Sequence, residues 1–181
     1  MRAAVFLERD GILCAERVGR GQPEAPLSLT EFKINPQAAE PLRQLRAAGF
    51  LLIATTNQPA LSNGLLRRRE LDSMHALLRQ HFELDDLLLC PHDAADCCPC
   101  RKPRPGLLTE AAFKWHINLD QSYVISNKWQ DAHAAQLAGC TSLLIASPWL
   151  SNGHRDMVQP DLPSAVQRVL RLGLKKTAMV A

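Results

Sequence analysis

Five short apolar segments recur along the chain, separated by longer segments with a helical pattern. The apolar segments are rich in Leu, Ile and Val rather than alternating with polar residues, and they are residues 3–7, 50–54, 87–89, 123–125 and 142–146. Continuous apolar segments of this length are typical of strands that are buried on both faces of a sheet. The pattern therefore predicts five buried strands.

Helices are predicted between these strands. Residues 36–48 begin with Pro36 and are followed by Gly49, which are the expected first and terminating residues of a helix. The other predicted helices are a segment with Leu71, Met74, Leu77 and Leu78 at helical spacing, residues 107–115, residues 129–137 before Gly139, and residues 162–172. Because strands and helices alternate, we predict an α/β fold, Rossmann-like, with a mostly parallel sheet and helices on both faces.

The chain has 181 residues, and no linker, internal repeat or low-complexity segment divides it. We therefore predict one domain over residues 1–174 and a loose C-terminal tail over residues 175–181. Residues 19–26 are rich in Gly and Pro, so we expect them to form a mobile loop over the strand ends.

The composition of the chain argues against nucleic-acid binding, membrane insertion and export. Hydrophobic residues make up 46% of the chain, charged residues 22%, and the net charge is only +3, which gives no indication of nucleic-acid binding. The run of three arginines at residues 67–69 is interpreted as a solvated helix face. No apolar segment approaches the roughly 20 residues that span a bilayer, and the short N-terminal apolar segment does not predict a signal peptide. We expect a cytoplasmic monomer.

Polar residues follow the predicted strands at one edge of the sheet. In parallel α/β sheets the chemistry lies beyond the carboxyl ends of the strands. Residues 8–11 follow the first strand and residues 55–58 the second, while residues 90–92 and 126–131 follow the third and fourth. This edge is the predicted functional site.

Glu8 and Asp10 are two residues apart at a strand end, so both side chains leave it on the same side. Gly11 allows the backbone to turn there. Two carboxylates in one pocket repel each other unless a cation or a proton lies between them. Mg²⁺ suits such a site, because it is usually held by one or two carboxylates and a substrate phosphate. Thr56 and Lys102 are candidates for contacting that phosphate.

Four cysteines fall within residues 90–100. In a chain without an export signal, such clustering indicates metal binding rather than disulfides. Three thiols with His92 make a closed tetrahedral ligand set, which is typical of structural zinc. Cys90 and Cys100 belong to this set, and either thiol of the Cys97–Cys98 pair can complete it. We expect the site to fix the loop that carries Arg101 and Lys102, and Arg101 suits bidentate contact with a second phosphate or a sugar hydroxyl.

Four stretches of sequence, "FLERDGIL", "TTNQ", "RKPRPG" and "ISNKWQD", resemble the motifs of the haloacid dehalogenase (HAD) superfamily of phosphatases. More narrowly, "TNQ" and "CPH…CPCRKPRPG" are similar to the D-glycero-D-manno-heptose 1,7-bisphosphate phosphatases and the related histidinol-phosphate phosphatases. The resemblance covers roughly residues 3–147. It implies a HAD-type sheet, and there is no room between the motifs for a separate cap domain. It also favours Cys98 over Cys97 as the zinc ligand.

The resemblance implies phosphoryl transfer through a covalent carboxyl-phosphate intermediate. Glu8 stands at the nucleophile's position, and Asp10 at that of the general acid and base. The implied magnesium ligands are Glu8, Asp10, Asn127 and Asp131, with Asp131 also orienting Lys128 or a metal-bound water. The implied substrate-binding residues are Thr56, Asn57, Asn63, Arg101, Lys102 and Lys128, and the substrate is a small phosphorylated sugar.

Three positions depart from the family pattern. Glu8 replaces an aspartate, Asn127 replaces a metal-binding aspartate, and Asn63 stands where relatives carry an arginine. The first two departures leave open a phosphatase with full or reduced turnover, or a phosphosugar-binding protein without turnover. A third alternative is a zinc-stabilised subunit that contacts a partner protein.

Overall fold

The computed structural model describes residues 1–19, 21–148, 150 and 158–178. The strands are β1 (Ala4–Glu8), β2 (Arg17–Gly19), β3 (Gln22–Glu24), β4 (Leu51–Asn57), β5 (Asp86–Cys90), β6 (Tyr123–Ser126), β7 (Thr141–Ile145) and β8 (Val158–Gln159). The helices are α1 (Ala39–Ala47), α2 (Pro59–Ser62), α3 (Arg68–Phe82), α4 (Gly106–Trp115), α5 (Trp129–Ala138) and α6 (Leu162–Ala178).

Six of the strands form one parallel sheet in the order β5-β4-β1-β6-β7-β8. The central strand β1 pairs with β4 and β6, so that Glu8 lies opposite Thr55 and Leu7 lies opposite Ile125. This register brings the carboxyl ends of the three central strands together.

Alternate residues of β1 pack on opposite faces of the sheet. Val5 and Leu7 belong to a core with α1, α3 and α6, whereas Ala4 and Phe6 belong to a core with α4 and α5. All four side chains are fully buried, as expected for a strand covered on both sides. The predicted α/β fold with helices on both faces is confirmed.

Three local features differ from the sequence prediction. The segment around residues 19–26 contributes to a two-stranded antiparallel ribbon, β2 with β3, rather than an irregular loop. Its strands are too short and polar to give an apolar signal. Leu77 is 41% exposed while Leu71, Met74 and Leu78 are buried, because a position six residues after Leu71 lies off the buried helix face. Helix α6 continues to Ala178, and residues 179–181 lie outside the described residues.

Within the part of the chain that the structure describes, none of the helices combines the length and the apolar character needed to cross a membrane.

Candidate active site

The predicted site residues meet at the carboxyl edge of the sheet. Glu8 ends β1, Asn57 ends β4, and Asp131 lies in the first turn of α5. They surround a cavity of about 610 Å³, a volume typical of small-molecule sites. Eight of the predicted site residues line it, together with parts of the ribbon: Glu8, Asp10, Asn57, Asn63, Arg101, Lys102, Lys128 and Asp131, with Gln22, Pro23 and Glu24.

Lys102 is the central cation of the site. Its ammonium group donates hydrogen bonds to Glu8 Oε2, to Asp131 Oδ1 at 2.7 Å and to the carbonyl oxygen of Thr55 at 3.3 Å. The three charged side chains are almost fully buried. Lys102 therefore supplies the positive charge that allows two carboxylates to lie close together away from water.

The two carboxylates bonded to Lys102, those of Glu8 and Asp131, have different pKa values. Burial by itself would raise the pKa of Glu8, but attraction to Lys102 and Lys128 outweighs it and lowers that pKa to about 2. Burial raises the pKa of Asp131 to about 6, against the opposing attraction of Lys102. Glu8 is therefore an anion at neutral pH, as a carboxylate nucleophile must be.

Asp10 has a different set of partners. Its carboxylate accepts hydrogen bonds from Arg9 Nε at 2.9 Å and from Gln58 Nε2 at 2.7 Å. The hydroxyl of Thr56 lies 3.4 Å from the same carboxylate and is fully buried, so the structure places Thr56 against Asp10 rather than at the cavity surface. Gly11, with a φ of +96°, makes the turn that follows.

Arg9 is fully buried, which is unusual for an arginine. It contacts both oxygens of the Asp10 carboxylate, and its Nη1 lies 3.2 Å from Nε2 of His75 on α3. Burial and the positive charges of Arg9 and Arg79 lower the pKa of His75 to about 3. His75 is therefore neutral and accepts the hydrogen bond from Arg9, which fixes the arginine beside Asp10.

Lys128 and Asn127 lie on the other side of Glu8. The ammonium group of Lys128 donates to the carbonyl oxygen of Asp10 at 2.9 Å, pairs with Glu16 Oε1 at 2.9 Å and lies 3.8 Å from Glu8 Oε1. Burial by itself would lower the pKa of Lys128, but the neighbouring carboxylates raise it. Lys128 is therefore a permanent cation at a point where several oxygens converge.

The predicted binding residues outside this cluster have distinct places. The Asn57 side chain donates to the carbonyl oxygen of Lys102 and accepts from its amide, both at 3.1 Å, so it fixes the Lys102 backbone. Arg101 donates to the carbonyl oxygen of His92 at 2.8 Å. Asn63 donates to Asp93 Oδ2 at 3.2 Å. All three side chains also line the cavity.

Several oxygens of the site fit a hard divalent cation. Asn127 Oδ1 and Asp131 Oδ2 are buried and have no hydrogen-bond partner among the described residues. With the carboxylate of Glu8 and the carbonyl oxygen of Asp10, they form a set of oxygen donors of the kind that Mg²⁺ prefers. The predicted magnesium ligands therefore match the donor chemistry of the site.

A second cluster lies in the loop between β5 and α4. The ligand atoms of Cys90, His92, Cys98 and Cys100 all lie within 4.8 Å of one another, and four of the pairs are 3.3–3.6 Å apart. Zn–S bonds of about 2.3 Å place tetrahedral ligand atoms about 3.6–3.8 Å apart, so the cluster fits zinc. Cys97 is exposed and does not belong to the cluster.

Four residues of the site escaped the sequence analysis as functional candidates: Arg9, Glu16, Gln58 and His75. The position of Arg9 between Glu8 and Asp10 was a signal in the sequence. An arginine at the end of a buried strand is itself buried, and its guanidinium group then needs hydrogen-bond acceptors nearby. Gln58 was part of the "TTNQ" motif but had no assigned contact. Glu16 and His75 could not be found, since only the fold brings them to the site.

Comparison with known proteins assigns the chain to a family. A family model described as HAD-hydrolase-like matches residues 99–162. The D-glycero-beta-D-manno-heptose-1,7-bisphosphate 7-phosphatase of Rhodopseudomonas palustris is 30% identical over 150 residues, covering 76% of this chain and 80% of that protein. The protein of the same name from Helicobacter pylori is 30% identical over 153 residues, covering 80% and 85%.

The fold is also found in a solved structure, that of the D,D-heptose 1,7-bisphosphate phosphatase of B. bronchiseptica complexed with magnesium and phosphate. The two structures align with a TM-score of 0.76 at 26% identity, over 95% of this chain and 99% of that chain. The motifs, the fold and the relatives agree, and the chain therefore belongs to the family of HAD-type phosphatases that contains the heptose-1,7-bisphosphate 7-phosphatases.

Proposed function

We propose that the protein is a Mg²⁺-dependent phosphatase that hydrolyses a phosphomonoester of a small sugar phosphate, similar to heptose 1,7-bisphosphate. Glu8 carries the covalent intermediate, and zinc at Cys90, His92, Cys98 and Cys100 has a structural role. The observation that carries the proposal is the buried Glu8, an anion with Lys102 bonded to it at the floor of a cavity of about 610 Å³. The names of the relatives support the substrate class.

The first step transfers the phosphoryl group to the protein. A carboxylate oxygen of Glu8 attacks phosphorus, while the bond between phosphorus and the sugar oxygen breaks. Asp10, which enters this step in its protonated form, donates its proton to that oxygen, which leaves as a hydroxyl group. This division of one hydrolysis into two displacements is covalent catalysis.

The second step regenerates the protein. Asp10, now a carboxylate, takes a proton from a water molecule that attacks phosphorus, and the bond between phosphorus and the Glu8 oxygen breaks. Inorganic phosphate leaves, and both carboxylates return to their starting protonation. Arg9 and Gln58 hold Asp10 in place for both transfers through the hydrogen bonds already described.

Charge stabilisation comes from residues that converge on Glu8. Lys102 and Lys128 lie beside its two carboxylate oxygens, where the transferred phosphoryl group carries its negative charge. Mg²⁺, when bound by Glu8, Asp10, Asn127 and Asp131, supplies further positive charge and orients the phosphoryl oxygens. Asn57 fixes the Lys102 backbone, and Arg101 and Asn63, which line the cavity, are proposed to contact the rest of the sugar phosphate.

The protein is further proposed to act as a cytoplasmic monomer. None of the six cysteines is paired in a disulfide, which suits a reducing compartment. A phosphosugar-binding protein without turnover is the second candidate, and Glu8 favours it, since misplacing a nucleophile by about 1 Å can cost about 10²-fold in rate.

The test is phosphate release from heptose 1,7-bisphosphate and a panel of sugar phosphates, with Mg²⁺ or with EDTA. We expect Mg²⁺-dependent release by the parent and none by Glu8→Gln, which keeps the shape of the side chain but cannot act as nucleophile. Release that is equal in the two proteins would contradict the role of Glu8. A rise in melting temperature with a bisphosphate, without release, would replace the proposal by the binding function.

A further inference from the structure

Glu16 lies in the active site although it is outside the four sequence motifs. Its side chain is only 10% exposed, and Oε1 lies 2.9 Å from the ammonium group of Lys128. Its second oxygen, Oε2, accepts a hydrogen bond from the amide of Asn127 at 3.1 Å. One carboxylate therefore contacts both residues that follow strand β6 at the site.

Gly11 shows how closely these groups are packed. A Cβ atom at this position would lie 2.3 Å from Asn127 Nδ2 and 2.8 Å from the carboxyl carbon of Glu16, distances that no side chain can occupy. The side chains of Glu16 and Asn127 therefore fill the space beside Gly11 that a larger residue would need. Glu16 belongs to the same structural unit as the magnesium ligands proposed above.

The charges of this unit indicate what Glu16 contributes. Asn127 is neutral, 6% exposed, and its Oδ1 has no hydrogen-bond partner among the described residues. A divalent cation bound there would receive an oxygen from Asn127 but no negative charge. Glu16 places a full negative charge directly against that amide, and carboxylates are the protein ligands that usually hold Mg²⁺.

We propose that Glu16 is a carboxylate of the magnesium site and supplies the negative charge that Asn127 lacks. Lys128, which pairs with Glu16 and with the carbonyl oxygen of Asp10, provides the positive charge when no metal is bound. The inference rests on the proposed Mg²⁺ dependence. Its test measures metal binding in the absence of substrate, so that it can fail or succeed independently of turnover.

The experiment is calorimetric titration of the 181-residue chain with Mg²⁺ after treatment with EDTA and dialysis, with thermal unfolding as a check of the fold. Glu16→Gln is expected to weaken Mg²⁺ binding by about 10- to 100-fold. The matched control is Glu40→Gln, which removes an exposed carboxylate paired with Arg43 on α1 and is expected to leave the affinity unchanged. Adding Asn127→Asp to Glu16→Gln should recover most of the loss, because the charge returns to the same place.

A second set of variants, made in a protein without Lys128, shows whether Glu16 acts at the metal or only as the partner of Lys128. In Lys128→Met, Glu16→Gln should still weaken Mg²⁺ binding. An effect that disappears in this background would show that Glu16 acts only through Lys128 and would overturn the proposal. Unchanged affinity in Glu16→Gln, or no Mg²⁺ binding by the parent, would overturn it as well. If Glu16→Gln does not fold, Glu16→Asp takes its place: it keeps the charge but draws the carboxylate back by one methylene, so Mg²⁺ binding should weaken, and unchanged affinity would again overturn the proposal.

Mg²⁺ binding that follows these expectations without phosphate release would leave the role of Glu16 intact and refute the proposed phosphatase activity. Phosphate release with unchanged metal affinity in Glu16→Gln would support the phosphatase activity and refute the role of Glu16.

Discussion

Lys102 donates a hydrogen bond from its ammonium group to the carboxylate of Glu8 across 94 positions of the sequence, and both side chains are only 3% exposed. A charge buried in this way is stabilised only while its partner is present. Removing one partner of a buried ion pair typically costs about 3–5 kcal/mol. Asp131 adds to the expected cost, since it bonds to the same ammonium group.

Lys102→Met is therefore expected to lower the free energy of unfolding by about 3–5 kcal/mol at neutral pH, measured by urea denaturation. Lys33→Met serves as the control, because Lys33 is exposed, and it should change the stability by less than about 0.5 kcal/mol. Equal stability of the parent and Lys102→Met would mean that the Glu8–Lys102 pair does not form in solution.

Most of the sheet could be predicted because its strands are continuous apolar runs with helical patterns between them. β1, β4, β5, β6 and β7 all coincide with predicted segments within a few residues. The strands that escaped prediction, such as Val158–Gln159, are too short to carry a hydrophobic pattern. Their pairing depends on the sheet that is already in place.

The site was predictable where its residues follow strands, as Glu8 and Asp10 do, since parallel strands bring their carboxyl ends to one edge. The sequence did not predict which side chains bond to one another within the site. Nothing in the sequence pattern indicates that Lys102 bonds to Glu8 while Arg9 bonds to Asp10. Such assignments depend on side-chain directions that a one-dimensional pattern does not contain.

The cysteine and histidine cluster gives a prediction about zinc, and the adjacent Cys97 provides a matched control. Cys98→Ser removes a ligand atom of the cluster, whereas Cys97→Ser changes an exposed thiol outside it. Because a structural zinc contributes directly to folding, Cys98→Ser should lose bound zinc and melt at a lower temperature. Cys97→Ser should keep both the zinc and the melting temperature of the parent.

Elemental analysis and thermal unfolding of the two purified variants check this prediction. A chelator should lower the melting temperature of the parent to that of Cys98→Ser, and it should have little further effect on Cys98→Ser itself. A parent protein without zinc and with a melting temperature indifferent to chelation would contradict the zinc assignment.

His75 predicts a pH dependence of stability. Its pKa in the folded protein is lowered to about 3 from 6.5, first by burial and then by Arg9. The unfolded chain therefore binds a proton between these values that the folded protein does not. The stability due to the neutral histidine is fully present above about pH 6.5 and is lost as the pH falls toward 3.

His75→Gln should reduce this loss between pH 6.5 and pH 4, since glutamine can accept the hydrogen bond from Arg9 but does not take up a proton. His81→Gln, an exposed position on the same helix, should follow the parent curve. Urea unfolding at several pH values gives the comparison. A parallel loss of stability in His75→Gln and the parent would show that the proton is taken up elsewhere.

The last prediction concerns Glu8 and Asn127, the two residues of the proposed site that were interpreted as departures from the family motifs. Glu8 carries its carboxylate one methylene farther from the backbone than an aspartate does, and misplacement by about 1 Å can cost about 10²-fold in rate. Asn127 offers the site an oxygen without a charge. Glu8→Asp combined with Asn127→Asp should therefore raise Mg²⁺-dependent phosphate release from a sugar bisphosphate, by about 10²-fold if the position of the nucleophile limits the rate.

The single variants divide this gain between its two causes. Glu8→Asp should raise kcat, because it moves the nucleophile toward the position that the family uses, while Asn127→Asp should mainly lower the Mg²⁺ concentration needed for half-maximal rate. Glu8→Gln with Asn127→Asp is the control, which restores the metal charge without a nucleophile and should stay inactive. If the double variant hydrolyses bisphosphates no faster than the parent, then Glu8 is not a misplaced nucleophile, and the parent's rate is limited by another part of the site.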